Sequence, residues 1–167
     1  GMWRSRTFVG LLSASLSAQM ATALDLQYAS HVKLHRPDIG LSEPSGLAVD
    51  ADGDAFWIVS DDTAAVFRLD ARTGELSAFT GRDARMTDLE GVAIDAANER
   101  LLMVSERTAR IVSVSLKRPH RVSAIDLARL PGGGDLNRVL QGKRDGLEGI
   151  SVDPNTGVVF LVKEDSP

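Results

Sequence analysis

The chain has 167 residues, with 43% hydrophobic and 25% charged content and a formal net charge of −4, the make-up of an ordinary globular domain. An acidic balance and only short basic clusters, Lys117-Arg118 and Lys143-Arg144, argue against an extended phosphate-binding face, so nucleic acid is not an expected partner. The absence of cysteine excludes a disulfide framework, a thiolate metal site and a cysteine nucleophile.

In chain order, the first segment has the layout of a secretory signal. Arg4 and Arg6 are followed by an uncharged, mixed apolar and small-residue run from Thr7 to Leu24, with Ala21-Thr22-Ala23 as an A-x-A cleavage site. Five serines and threonines make that run weakly hydrophobic for a membrane span. The expectation is a cleaved signal over residues 1–23 and a mature domain over 24–167. Export to the periplasm or beyond, with no stable membrane anchor, would follow.

Three copies of one pattern come next. They are Glu43-Pro44-Ser45-Gly46-Leu47-Ala48-Val49-Asp50, Asp88-Leu89-Glu90-Gly91-Val92-Ala93-Ile94-Asp95 and Gly146-Leu147-Glu148-Gly149-Ile150-Ser151-Val152-Asp153. Each is an apolar-small-apolar run closed by aspartate, then a turn, then a second apolar run: Ala55 to Val59, Leu101 to Val104, Val158 to Val162. From the repeat glycine to the acidic residue closing the second run (Asp61, Glu106 or Glu164) the distance is 15 residues every time. Such a unit reads as a β-hairpin. The first two copies continue with further strands, Ala65 to Leu69 and Glu75 to Phe79 in one and Arg110 to Leu116 in the other.

Four strands per unit at a spacing of 45 residues is the signature of a propeller blade. The second interval is 58 residues, and Leu130-Pro131-Gly132-Gly133-Gly134-Asp135 marks the insertion, as a loop between blades or within an outer hairpin. Capped helical patterns are absent apart from a weak turn over Asp135 to Gln141, which disfavours an α/β fold, and a β-sandwich would not need a fixed acidic register. The predicted fold is therefore all-β: two propeller blades plus the inner hairpin of a third, an incomplete ring. Gln27 to Leu34 is expected to pair as the outer strand of the last blade. Either the sequence is truncated after Pro167, or a half-propeller dimerises to close.

Antiparallel pairing puts the start of each inner strand beside the end of its neighbour. Ser45, Glu90 and Glu148 should thus lie near Asp61, Glu106 and Glu164, around one mouth of the channel. Converging carboxylates repel one another, and a hard cation such as calcium would relieve that cost through oxygen ligands. Glu90, Glu148, Asp61, Glu106 and Glu164 are accordingly the candidate metal ligands. The competing reading makes them turn and interface residues, with Arg107 as an internal counter-ion. Asp50-Ala51-Asp52-Gly53-Asp54 resembles the opening of a calcium loop, but its glycine and closing acid are misplaced for an EF-hand, and a hairpin turn fits better.

Catalytic constellations are poor. His31, His35 and His120 have no metal spacing, no G-x-S-x-G elbow occurs, and Ser45 and Ser60 have no base nearby in sequence. Trp57 and Phe56 are expected in blade-to-blade core.

The ladder S-G-L, D-x-E-G and G-L-E-G followed by Val162-Lys163-Glu164 resembles the SdiA-regulated family of exported bacterial propellers, over Glu43 to Pro167. A cousin group, the phytase-like esterase propellers, shares the pattern seen at Ser45 to Leu47, at Ser60-Asp61-Asp62 and in the E-G pairs. The resemblance implies a propeller, export and a channel metal, and names no reaction. Three functions compete: a module binding a small molecule or protein at the channel mouth, with or without calcium; a calcium-dependent phosphoesterase of the phytase-like kind; and a protein-interaction platform. With no nucleophile–base pair in view, binding is expected ahead of catalysis.

Overall fold

The structure, a computed structural model, describes residues 27–134 and 146–164. The signal-like residues 1–23, the Asp135 to Gln141 turn and the stretch after Glu164 lie outside the described residues. The chain divides into two units, Gly1–His31 and Val32–Pro167. In the first, the Tyr28 hydroxyl hydrogen-bonds His31 Nδ1 at 2.6 Å; the second carries every element below.

Among the described residues, ten strands form three antiparallel sheets. Blade 1 is β1 (Pro44–Val49), β2 (Ala55–Ser60), β3 (Phe67–Asp70) and β4 (Leu76–Ala78), hydrogen-bonded in that order. Blade 2 is β5 (Leu89–Asp95), β6 (Arg100–Ser105), β7 (Thr108–Ser115) and β8 (Val122–Asp126), again in chain order. The third unit is the hairpin β9 (Leu147–Val152) with β10 (Val159–Lys163). Up-and-down sheets of four strands that pack face to face through their inner strands are propeller blades, so the predicted all-β propeller, incomplete as a ring, is what the chain forms. The insertion falls between blades, beyond β8 and a short turn over Leu127–Arg129.

Local chemistry explains the hairpins. β-branched, aliphatic and aromatic residues fill β2 and β6, strands buried over most of their length, and β7, buried over half of it. The repeat aspartate at the end of each inner strand closes its turn. Asp50 Oδ1 accepts from Asp54 N at 2.8 Å, Asp95 Oδ1 from Asn98 N at 3.3 Å and Asp153 Oδ1 from Asn155 N at 2.8 Å. These are side-chain-closed turns, and Asp50 to Asp54, with Gly53 at φ 76, is one of them. Burial alone would raise the Asp95 carboxyl; hydrogen bonds from Asn98 and Arg100 outweigh it and hold the group below its ordinary value.

The core lies between blades. One cluster joins Trp57, Val59 and Val66 of blade 1 to Leu89, Val92, Leu101, Met103, Val112 and Val114 of blade 2. Trp57 meets Phe79 edge-on at 4.6 Å between centroids, while Phe56 faces the other way, onto a cluster of Ile58, Phe67 and Leu69 covered by Leu34, Ile39 and Leu41. A third cluster joins Leu102, Val104 and Ile111 of blade 2 to Leu147, Ile150 and Val152 of the third unit. Gln27 to Leu34 is not the strand expected from sequence: residues 27–35 carry no strand, and the nearest pairing is the isolated bridge Arg36–Leu41. Leu34 instead packs, partly buried, against the blade 1 cluster of Leu41, Ile58, Phe67 and Leu69, where its side chain leaves water.

Candidate acidic mouth of the channel

The repeat glycines set how closely the blades approach. A Cβ on Gly46 would sit 3.1 Å from Glu90 O and 3.2 Å from Gly91 Cα. One on Gly91 would sit 3.1 Å from both Gly149 Cα and Ile150 N. Inner strands therefore touch backbone to backbone at these points, which only glycine permits without spreading the junction.

Immediately before each glycine the ladder slips. β1 pairs Pro44 with Ser60 and then Gly46 with Val59; β5 pairs Leu89 with Ser105 and then Gly91 with Val104; β9 pairs Leu147 with Lys163 and then Gly149 with Val162. Ser45, Glu90 and Glu148 are the extra residues of three equivalent β-bulges. A bulge re-aims the side chain it carries, so one irregularity, repeated, throws three polar side chains out of the strand pattern. Alternation of apolar and polar residues does not reveal it; the invariant glycine beside each acid was the available signal.

The closing acids come back to the same end. Glu106 N donates to Asp88 O at 3.0 Å and Glu164 N to Gly146 O at 3.2 Å, and Ser60 Oγ donates to Glu43 O at 2.8 Å in the equivalent place of blade 1. Gly146 abuts Glu106 so closely that any Cβ there would overlap its backbone. The carboxylates feel one another. Burial first, and then the charges of Glu148, Asp61, Glu106 and Asp88, push the Glu90 carboxyl above its ordinary value. Burial followed by Glu106 and Glu164 does the same to Glu148.

Three details differ from expectation. Arg107 does not neutralise Glu106: its Nε pairs with Asp88 at 3.1 Å, and Asp88 adopts a left-handed φ of 48. Ser45 does not face the mouth as a free hydroxyl but donates to Leu89 O, tying blade 1 to blade 2. Asp62, part of the Ser60-Asp61-Asp62 pattern but not among the candidate ligands, is the hydrogen-bonded hub on the blade 1 side, accepting from Ser42, Ser60 and Thr63 Oγ; the Ser42 and Ser60 hydroxyls above all hold its carboxyl low. Ser60 and Thr63 flank Asp62 within three residues, whereas Ser42 comes from the bend before β1 and carried no sequence signal.

Asp61 Oδ1 is buried without a hydrogen-bond partner, and so is the Ser105 hydroxyl next to Glu106. A donor set of carboxylate oxygens suits a hard cation. Among the described residues, however, no three His, Asp or Glu side chains stand close enough together to hold an ion. The described residues alone do not form a closed protein cage for a cation. Beyond the acids, the second halves of β1, β5 and β9 line a cavity of about 480 Å³ with Leu47, Val49, Val92, Ile94, Ile150 and Val152. The channel is thus acidic where the inner strands start and apolar where they end.

Comparison with solved structures agrees with the architecture. The chain is similar to hydrazine synthase of Kuenenia stuttgartiensis (17% identity, TM-score 0.54, 81% of this chain and 32% of that one). It is similar to glutaminyl cyclase of Myxococcus xanthus (15% identity, TM-score 0.55, 74% of this chain and 51% of that one). It also matches a chain of a nidogen/laminin complex (17% identity, TM-score 0.53, 71% of this chain and 38% of that one). At these identities the likeness is one of fold, and the chain spans 32%, 51% and 38% of the three lengths. No curated protein matches it. A family model described as "Phytase-like: Esterase-like activity of phytase" matches residues 39–166, the whole run of blades from the bridge before β1 to the end of β10. With three blade units in one register, each bulged before its repeat glycine, the chain belongs to the phytase-like family of β-propeller domains.

Proposed function

We propose that the protein is an exported binding propeller whose acidic mouth takes a divalent cation such as calcium, and through it a small-molecule or protein ligand. The observation that carries this reading is Glu90: bulged out of its strand, partly buried, and surrounded by the charges of Glu148, Asp61, Glu106 and Asp88. A cation bound there would replace mutual repulsion with attraction for every carboxylate in the group. Glu90 and Glu148 would be its main ligands, with Asp61, Glu106 and Glu164 acting through charge or bridging water. Export follows from the signal-like residues 1–23. The glycine ladder also supports a relationship to SdiA-regulated propellers within the wider phytase-like group.

A thermal melt of the chain from Leu24, in calcium and then in chelator, tests the reading. Calcium at a hundred times its dissociation constant would stabilise the fold by about 2.7 kcal/mol. The shift should vanish in Glu90→Gln combined with Glu148→Gln. No shift in millimolar calcium would refute the cation site.

A second reading, hydrolysis of phosphate esters, is favoured by the family description itself. In that case Glu90, kept protonated to higher pH than an exposed glutamate, is the side chain suited to give a proton to a leaving alkoxide. Release of p-nitrophenol from its phosphate ester, lost in Glu90→Gln, would favour hydrolysis. Calcium binding without release would favour the binding module.

A further inference from the structure

The repeat register allows the outer turn of one complete blade to be compared with that of the other. The β3–β4 turn begins at Asp70 and the β7–β8 turn at Ser115, each 24 residues after its repeat glycine. Both turns are tied to the neighbouring inner turn by an equivalent bond, Ala71 N to Asp54 O and Leu116 N to Glu99 O, each at 2.9 Å. Their caps differ. Asp70 Oδ1 accepts from Arg72 N at 3.0 Å and Thr73 N at 2.8 Å, whereas the Ser115 hydroxyl accepts from Arg118 N at 3.2 Å. Blade 1 thus closes its turn with a carboxylate, which Arg68 meets at 3.5 Å, and blade 2 closes the same turn with a neutral group.

On this neutral frame stand Lys117, Arg118, His120 and Arg121, all exposed. Of the four, only Lys117 has an ion-pair partner among the described residues, Glu99 Oε1 at 2.7 Å. The turn's own bonds need no positive charge: Arg121 N donates to Arg118 O at 2.8 Å and Ser115 N to Arg121 O at 3.3 Å. With Pro119 as its second residue, Arg118 to Arg121 is a β-turn whose backbone is set before anything binds. Crowded cations repel one another, so their concentration on one fixed tip of a chain of net charge −4 is a match for an anionic partner.

The surroundings limit the shape of that partner. Successive strands alternate in direction, so this tip lies at the end of the blades away from the acidic mouth, together with the turns of blade 1. Those turns expose Asp52, Asp54 and Glu75. A flat anionic membrane or a rigid duplex broad enough to meet both blades would be repelled by blade 1. A single small anion would leave most of the tip's charge unmatched. A flexible chain of carboxylates laid along blade 2 meets the cations and one acid, Glu99, that is already paired. Each arginine fork matches a carboxylate through two parallel hydrogen bonds.

We propose that the β7–β8 turn docks an acidic peptide segment of a partner protein, with Arg118 and Arg121 as its main contacts and Lys117 and His120 beside them. The surface lies at the opposite end of the blades from Glu90 and Glu148, so it does not depend on the cation reading, and both ends can be occupied together.

Fluorescence anisotropy of a labelled oligoglutamate peptide, at low salt and in chelator so that no divalent ion bridges it to the mouth, tests the proposal. Saturable binding is expected, weakening as salt screens the exposed charges. Arg118→Gln combined with Arg121→Gln should weaken it about tenfold or more, the worth of one or two charged hydrogen bonds. The melting temperature should stay unchanged, because both side chains are exposed. Arg72→Gln, which removes the cation of the blade 1 turn, should bind the peptide as wild type does. Absence of binding overturns the proposal, and so does binding that survives the double arginine replacement or is lost in Arg72→Gln. Tighter binding of anionic lipid vesicles, or of tripolyphosphate, than of the peptide would overturn an acidic peptide as the partner.

Discussion

Gly91→Ala should separate two inner strands and lower stability measurably. The added Cβ would lie 3.1 Å from Gly149 Cα, 3.1 Å from Ile150 N and 3.1 Å from Val104 Cγ2. Ordinary carbon contacts lie at about 3.5–4.0 Å, and two of these three atoms belong to a backbone that cannot rotate aside. β5 and β9 must part by a few tenths of an ångström along a junction that also packs Val104, Leu147 and Ile150. Overpacking of this kind costs about 1–3 kcal/mol, offset by about 0.4–1 kcal/mol from the reduced freedom of the unfolded chain. The net loss is about 1–2 kcal/mol, and at about 2–4 °C per kcal/mol for a domain of this size the midpoint falls by roughly 2–8 °C. Thermal and urea unfolding measure it. Gly149→Ala is the internal control: its nearest neighbours, at 3.5 and 3.7 Å, are ordinary contacts, and the change should fall within about 0.5 kcal/mol of wild type. A Gly91→Ala protein as stable as wild type, or a Gly149→Ala protein equally damaged, would refute close approach as the reason for the repeat glycine.

Glu90→Gln should raise the melting temperature at pH 7. A raised folded-state carboxyl pKa contributes stability that is full below the unfolded value of about 4.3 and lost as pH rises through the folded value. The variant should therefore show a flatter decline from pH 4 to pH 7, and an unchanged pH profile would contradict the account. Asp83 works in the opposite sense. Arg85 holds its carboxyl down to about 2 through Nε and backbone bonds of 2.8 and 2.9 Å, while the same guanidinium reaches Val122 O on β8. That contribution is present above the unfolded value and lost as pH falls through about 2. With the guanidinium side 46% exposed, Asp83→Asn should cost about 1 kcal/mol at pH 7 and much less near pH 2. Equal losses in urea midpoint at both pH values would rule out the ion pair as the cause.

The repeat, the hairpins and the propeller were legible before any coordinates, because each unit solves the same local problem with the same residues. An apolar run must pair with its neighbour, an aspartate must close the turn between them, and a small residue must precede the run. Asp50, Asp95 and Asp153 close their turns within a few residues of themselves, so spacing alone identified those turns. The insertion before the third unit was equally plain from the longer interval.

What only the tertiary structure decided concerns distances between units. That Glu90 and Glu148 leave the ladder depends on bulges set by backbone contact at Gly46, Gly91 and Gly149, contacts that exist only once blades stack. Arg107 chose Asp88 over its sequence neighbour Glu106, and Ser45 chose the Leu89 carbonyl of the next blade. Leu34 went to the face of blade 1 instead of a strand. A periodic pattern in one dimension reports how each unit satisfies its own backbone and turn. Which charges then meet depends on how the units stack in three dimensions, and one-dimensional spacing does not encode that.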